Sequence, residues 1–257
     1  MKSRNEGLKA LSVAAFSGLA GVAMPAAAGA EILFSTGEVQ LHYGDGYHLG
    51  ANGFDTTSRT TLTVEQFTLF NWGDLFYFVD LFQDHEGTGR EVDHYAEIYA
   101  HLNGGNFGIN FREDGFVKDV GLDFGLFHGT DFLVAAPGVR ADFNVPGFNV
   151  FTFGLYAYDN LVDPFNRDLD MTYQATLVWN APFTLGNANM SFRGFTDFIG
   201  DQGSGVDDQI VASPQLVWDV GQEGGASIGL EYTYFRNKFG VTGVDDNSIS
   251  AFVALKF

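Results

Sequence analysis

Cysteine is absent from all 257 residues, so neither a disulfide framework nor a thiolate metal site is available to this chain. Basic side chains are scarce, 13 Lys and Arg against 32 Asp and Glu. That balance argues against nucleic-acid phosphate as a partner. No apolar run beyond residue 30 reaches the 18 or so residues that a spanning helix needs. The six histidines show no zinc-ligand spacing. GDGYHLG (44–50) has one residue too many for a G-x-G-x-x-G loop, and QGSGV around Ser204 lacks the first glycine of a nucleophile elbow. The pairs Asp207-Asp208 and Asp245-Asp246 lie in no EF-hand pattern and read as solvated loop carboxylates. A barrel phospholipase would need Ser and His together on the outer wall, and no such pair stands out. Neither an enzyme nor a cofactor or metal protein is expected.

What is abundant is glycine, 33 residues, and phenylalanine, 27. With hydrophobic content of 46%, this suits many short strands joined by glycine-bearing turns. The first 30 residues read differently. Lys2, Arg4 and Lys9 precede the apolar ALSVAAFSGLAGVAM, and PAAAGA ends in Ala28-Gly29-Ala30 before Glu31. This predicts a bacterial secretory signal peptide over 1–30, and Pro25 with the small-x-small site counts against an uncleaved anchor. Those residues hold three of the basic side chains and one of the acidic. The remaining 31–257 therefore keep 10 against 31, a formal charge of −21.

Segments of about ten residues alternate in hydrophobicity from there on. Twelve are predicted, near 33–43, 58–70, 74–83, 93–102, 118–127, 132–144, 148–158, 170–180, 188–198, 209–219, 226–237 and 247–257. Ten residues is the span of a tilted membrane strand, and an even antiparallel count returns both ends to one side. Connections alternate too. NWGD (71–74), VPGF (145–148), NAPF (180–183) and GQEGG (221–225) are short; 44–57, 84–93, 159–168 and 200–209 are longer and hold much of the acidic excess. The long 103–118 is an exception on the short side. Leu122, Phe124 and Leu126 alternate with Gly121, Asp123 and Gly125, as Ile228, Leu230, Tyr232 and Tyr234 do with Gly229, Glu231, Thr233 and Phe235. A soluble sandwich would alternate in the same way. The last strand, SISAFVALKF, ends amphipathic on Phe257, like the assembly signal of outer-membrane barrels, and favours a barrel. The expected fold is therefore all-β: a transmembrane antiparallel barrel of twelve strands over 31–257, in the outer membrane of a Gram-negative bacterium.

With the strands placed, LFYFVD, PGVRADFNVPGF, NAPF, SPQLVWDVG and above all IGLEYTYFRNKFG, in order along 33–257, resemble the nucleoside-specific channel-forming porins (Tsx/OmpK-like). The resemblance implies a narrow twelve-stranded barrel that passes nucleosides between aromatic and ionisable side chains. In some members the outer loops also serve as phage receptors. Two departures stand out: Pro137 interrupts the sixth segment, and the lining is poor in Lys and Arg.

Taking the more apolar face as lipid-facing puts Glu65, Phe76, Phe78, Asp80, Phe82, Glu97, Tyr99, Arg140, Asp142, Tyr156, Arg193, Asp197, Glu231, Phe235 and Phe252 in the lumen. Rings can stack on a passing base, which contributes about 1–3 kcal/mol in other proteins. Carboxylates and guanidinium groups can bond ribose hydroxyls and base edges. An unpaired carboxylate would repel a phosphate by about 4 kcal/mol at 4 Å and an effective dielectric of 20, so nucleosides would pass where nucleotides would not. The competing expectation is that inward rings plug the bore, and that Arg140, Asp142, Arg193 and Asp197 pair across it to hold its shape. Further partners expected are outer-membrane lipid and lipopolysaccharide, and the barrel-assembly machinery through Phe257. A closed barrel acting as a surface receptor, for phage among others, is the alternative.

Overall fold

The computed structural model describes residues 29–88, 92–112, 114–203, 205–220 and 225–257. The expected signal peptide, apart from its last two residues, lies outside the described residues, as do Ser204 and most of GQEGG. Residues Ile32–Phe257 form one compact unit.

Thirteen strand segments make one antiparallel sheet: β1 Ile32–Tyr47, β2 Thr57–Phe70, β3 Gly73–Asp84, β4 Asp93–Leu102, β5 Val117–Gly129, β6 Phe132–Phe143, β7 Val150–Val162, β8 Thr172–Leu185, β9 Ala188–Ile199, β10 Gln209–Ala212, β11 Gln215–Asp219, β12 Ala226–Arg236 and β13 Asp246–Lys256. β10 and β11 are two halves of one stave, since both pair with β9 and β12 in unchanged register across Ser213-Pro214. Pro214 lacks the N–H that a ladder requires, but Ser213 N–H still donates to Phe195 O and Tyr232 N–H to Pro214 O. Gly194 lies opposite with φ +152°, where a Cβ would collide with Ser213 O. The first stave meets the last through eight pairs, from Glu38↔Lys256 to Asp45↔Ile249. The result is a closed twelve-stave barrel, and closure leaves no edge strand.

Two expectations about local structure need correction. NAPF is not a turn: β8 runs through it to Leu185, and the reversal falls at Gly186-Asn187. Pro137 does not interrupt β6. Its ring faces outward opposite Phe124, and the pairs Ala135↔Asp159 and Gly138↔Tyr156 flank it in one register. Losing one N–H there costs a ladder bond, not the strand.

The exterior is apolar along the staves. Leu41, Leu62, Leu81, Phe124, Leu126, Val139, Leu155, Phe192, Trp218, Leu230, Val253 and Leu255 are all exposed. A soluble monomer rarely bares contiguous apolar patches beyond a few hundred Å², whereas a bilayer requires such a surface around a closed barrel. DLFYFVDLFQD then resolves into Leu75, Tyr77, Val79 and Leu81 outside and Phe76, Phe78, Asp80 and Phe82 inside. No helix among the described residues is long and apolar enough to cross a membrane.

Candidate functional site

Register carries one inward position round the wall. Glu38 pairs with Glu65, Glu65 with Phe78, Phe78 with Glu97, Glu97 with Phe127 and Phe127 with Val134. Successive side chains alternate faces, so this belt fixes the phase of each stave it crosses. The same transfer runs from Tyr156 to Gln174, Thr176 to Asp197, Arg193 to Gln215, Gln215 to Glu231 and Gly229 to Phe252. All fifteen candidate residues lie on the inner face. They do not meet in one place.

Near the chain-terminal end the lumen holds a cavity of about 670 Å³. Phe67, Phe76, Glu38, Glu65, Arg193 and Lys256 are on its wall. Arg193 donates to Glu38 Oε1 at 2.6 Å and to Gln215 Oε1 at 2.8 Å, and lies 3.9 Å from Glu65. Lys256 donates to Asp219 at 2.7 Å. Phe67, which shares the phase of Glu65, is an aromatic wall residue here.

Beyond the cavity the lumen fills. Phe76 and Phe78 tilt together at 6.2 Å, and Phe78 meets Tyr95 at 6.0 Å. Tyr99, Phe127, Tyr156 and Tyr158 pack ring on ring at 5.4–6.1 Å between centroids around buried Val134, Ala136 and Ile199. Two glycines make room for Tyr156, since a Cβ on Gly154 or Gly138 would collide with its side chain. Outside the cavity most buried polar side chains bond to the protein, while His101 Nδ1, Asp123 Oδ1 and Asn160 Oδ1 find no partner among the described residues. Tyr95 OH donates to Glu97 at 2.7 Å, Tyr156 OH to Asp123 at 2.7 Å, Thr176 OH to Asp197 at 2.6 Å and Thr63 OH to Asp80 at 2.6 Å. Arg140 is held between Asp142 at 2.9 Å and Asp74 at 3.0 Å, three staves away. His101 is fully buried with Nε2 2.9 Å from Asp119.

Of the cross-lumen pairs expected, Arg140 makes one, with Asp74 three staves away, whereas Asp142 bonds only Arg140 on its own stave. Arg193 takes Glu38 and Glu65 instead of Asp197, which accepts from the Thr176 hydroxyl. Phe82 is no free stacking surface, because the Arg59 guanidinium sits 4.2 Å over its ring while bonding Asp84. Phe252 is buried against His42 at 4.6 Å. Glu231 accepts from Gln215 at 2.8 Å, and Phe235 lies at the far mouth against Phe239. Arg59, Asp74, Asp219 and Lys256 are inner charges missing from the sequence-derived set. Parity reveals three of them: Arg59 shares the phase of Glu65, Asp74 that of Phe76, and Lys256 that of Phe252.

Asp207, Asp208, Asp245 and Asp246 are engaged by Thr242, Arg236, Asn237 and Lys238 in that order. Among the described residues, no group of three or more His, Asp or Glu is placed to hold a metal.

Fold and lining together define a closed antiparallel barrel with an apolar exterior and a charged, aromatic interior. Residues 36–243 match the family described as "Domain of unknown function (DUF5020)", and the chain belongs to that family. No curated protein matches the chain. Among solved structures it is similar to the KdgM porin, at 10% identity over 86% of this chain and 98% of that one, TM-score 0.48. The NanC porin gives 12% over the same shares, TM-score 0.48. The translocator domain of autotransporter NalP from Neisseria meningitidis gives 12% over 100% and 96%, TM-score 0.37.

Proposed function

We propose that this chain is an outer-membrane channel for facilitated diffusion of small uncharged ring solutes, nucleosides foremost. The observation that carries the reading is the 670 Å³ cavity, where the phenyl rings of Phe67 and Phe76 stand beside the charge pairs of Arg193 and Lys256. Rings supply a stacking surface for a base, and the paired charges offer acceptors and donors to ribose. Because each basic group there is bonded to a carboxylate, a phosphate finds no unopposed cation to enter by. Weak sites in series favour passage over retention. The resemblance to nucleoside-specific porins agrees with this chemistry. Lipid and lipopolysaccharide would cover the exterior, and the strand ending at Phe257 would engage the assembly machinery.

The test is reconstitution of the full chain in planar bilayers. Adenosine should block the current at lower concentration than a sugar of similar size. No conductance, or equal block by both, overturns the reading. A second reading, a closed barrel acting as a surface receptor, is favoured by the rings of Tyr99, Phe127, Tyr156 and Tyr158 packed inside the wall. It predicts no current under any condition and loss of phage or host contact when the outer loops are shortened.

A further inference from the structure

At the mouth away from the termini, residues 237–245 between β12 and β13 do not stand clear of the barrel. Phe239 places its ring against Phe235 on β12 at 5.7 Å, Phe132 on β6 at 6.1 Å and Phe165 between β7 and β8 at 6.5 Å. β6 and β12 stand five staves apart by the shorter way round, so this one ring reaches nearly across the opening.

The segment is tied at several points. Arg167 donates to Phe239 O at 2.8 Å and to Asp163 at 2.7 Å. Lys238 is buried and donates to Asp246 at 2.6 Å and to His48 O at 2.8 Å. Thr242 OH donates to Asp207 at 2.7 Å, and Asp207 N–H to Gly240 O at 3.1 Å. Asn237 and Phe239 hold φ of 48° and 55°, a region that costs non-glycine residues of order 1 kcal/mol or more each. A conformation so strained persists because the surrounding bonds hold it, and it is relieved when they part.

Beneath the ring is a small space of about 10 Å³, room for one water, bordered by the rings of Phe132, Tyr158 and Phe239, the amides of Asn160, Gln202 and Gln209, and Pro164 with the Asp163–Arg167 pair. Gln202 and Gln209 are buried, and the Oδ1 atom of Asn160 is buried with no hydrogen-bond partner. Amide edges beside aromatic faces are the chemistry that recognises a planar ring carrying donors and acceptors on its rim. The Phe239 ring already fills the place such a solute would take.

We propose that Phe239 is a ring-shaped stopper of the outer mouth, and that its displacement exposes an amide-lined entry subsite for planar ring solutes. The ligand class rests on the channel function proposed for the barrel; the stopper rests on the ring contacts alone. Phe239→Ala should raise single-channel conductance several-fold in planar bilayers and narrow the preference for adenosine over sucrose as blocker. The absence of cysteine allows a second, independent handle. In an Asp207→Cys, Thr242→Cys chain the only possible disulfide pins 237–245 to the 200–208 loop. Oxidation should lower conductance and dithiothreitol restore it, with heat-modifiable migration verifying folding. Adenosine block that is present while conductance ignores both the alanine variant and the disulfide overturns the stopper and leaves the channel function standing. Conductance that answers both changes, with adenosine blocking no better than sucrose, upholds the stopper and overturns nucleoside selectivity.

Discussion

Two sides of the lumen wall use the same residue types to opposite effect. Around Arg193 the charges border a 670 Å³ cavity, so water can reach the groups that Glu38, Glu65 and Gln215 do not satisfy. Around Arg140 the guanidinium is closed in by Asp74 and Asp142, and the space beyond is filled by Tyr99, Phe127, Tyr156 and Tyr158. The first arrangement can exchange a protein contact for a solute contact at little cost. The second cannot, because any bond broken there leaves a buried polar group with no substitute. An inward side chain is therefore a transport group or a structural one according to what fills the space beside it.

The largest effect that tests this contrast is on stability. Arg140→Ala should destabilise the barrel by ~3–5 kcal/mol, since it strands two carboxylates in a buried site. Arg193→Ala should cost less than half as much and change ion selectivity instead. Urea unfolding in lipid vesicles together with reversal potentials measures both, and equal stability losses would erase the distinction. Next, Tyr156→Phe removes the donor to Asp123 and should cost about 1–3 kcal/mol with conductance unaltered. Phe67→Ala and Phe76→Ala should leave unfolding midpoints nearly in place while weakening adenosine block by about 1–3 kcal/mol, the worth of a stacked base; variants that do not fold would move both rings to the structural side.

The smallest effect lies outside the wall. Glu86 is held below the usual carboxylate range by the Thr57 hydroxyl and the Ser58 N–H. With its folded pKa depressed, this anchor is at full strength above the ordinary carboxylate range and is lost as pH falls through the folded value. Protection of the Ser58 amide against hydrogen exchange, corrected for intrinsic rate, should fall only once pH drops below the ordinary glutamate range and become pH-independent in Glu86→Gln.

Parity explains how much of this was legible. Alternation in β3, β5 and β12 was enough to assign inner and outer faces, because a period of two allows only two answers and lipid admits one of them. Proline misled at 137, where an outward ring removes a bond without bending the stave, and equally at NAPF, where turn-forming residues lie inside a long strand. Parity says that Arg193 and Asp197 both point inward; it does not say which inward groups meet. Arg193 reaches Glu38, 155 residues away, because tilt and closure bring β9 opposite β1. The filled half was illegible for the same reason, as was the reach of Phe239 from a loop that carries no periodic pattern.

The seam between β1 and β13 sets the order in which this molecule can be made. Its eight pairs join the first stave to the last, with positions such as Glu38 and Lys256 separated by nearly the whole chain. Loop-closure entropy has to be overcome before those pairs contribute anything, so closure is the late, slow event. Until it happens, β1 and β13 both present unpaired backbone that hydrocarbon cannot satisfy. The bonds exchanged between Gly37 and Phe257 at 2.9 Å in both directions make the final residue the clasp of the ring. A chain that stalls short of it is an open sheet with two sticky margins, a substrate for proteolysis or aggregation before it is ever a pore.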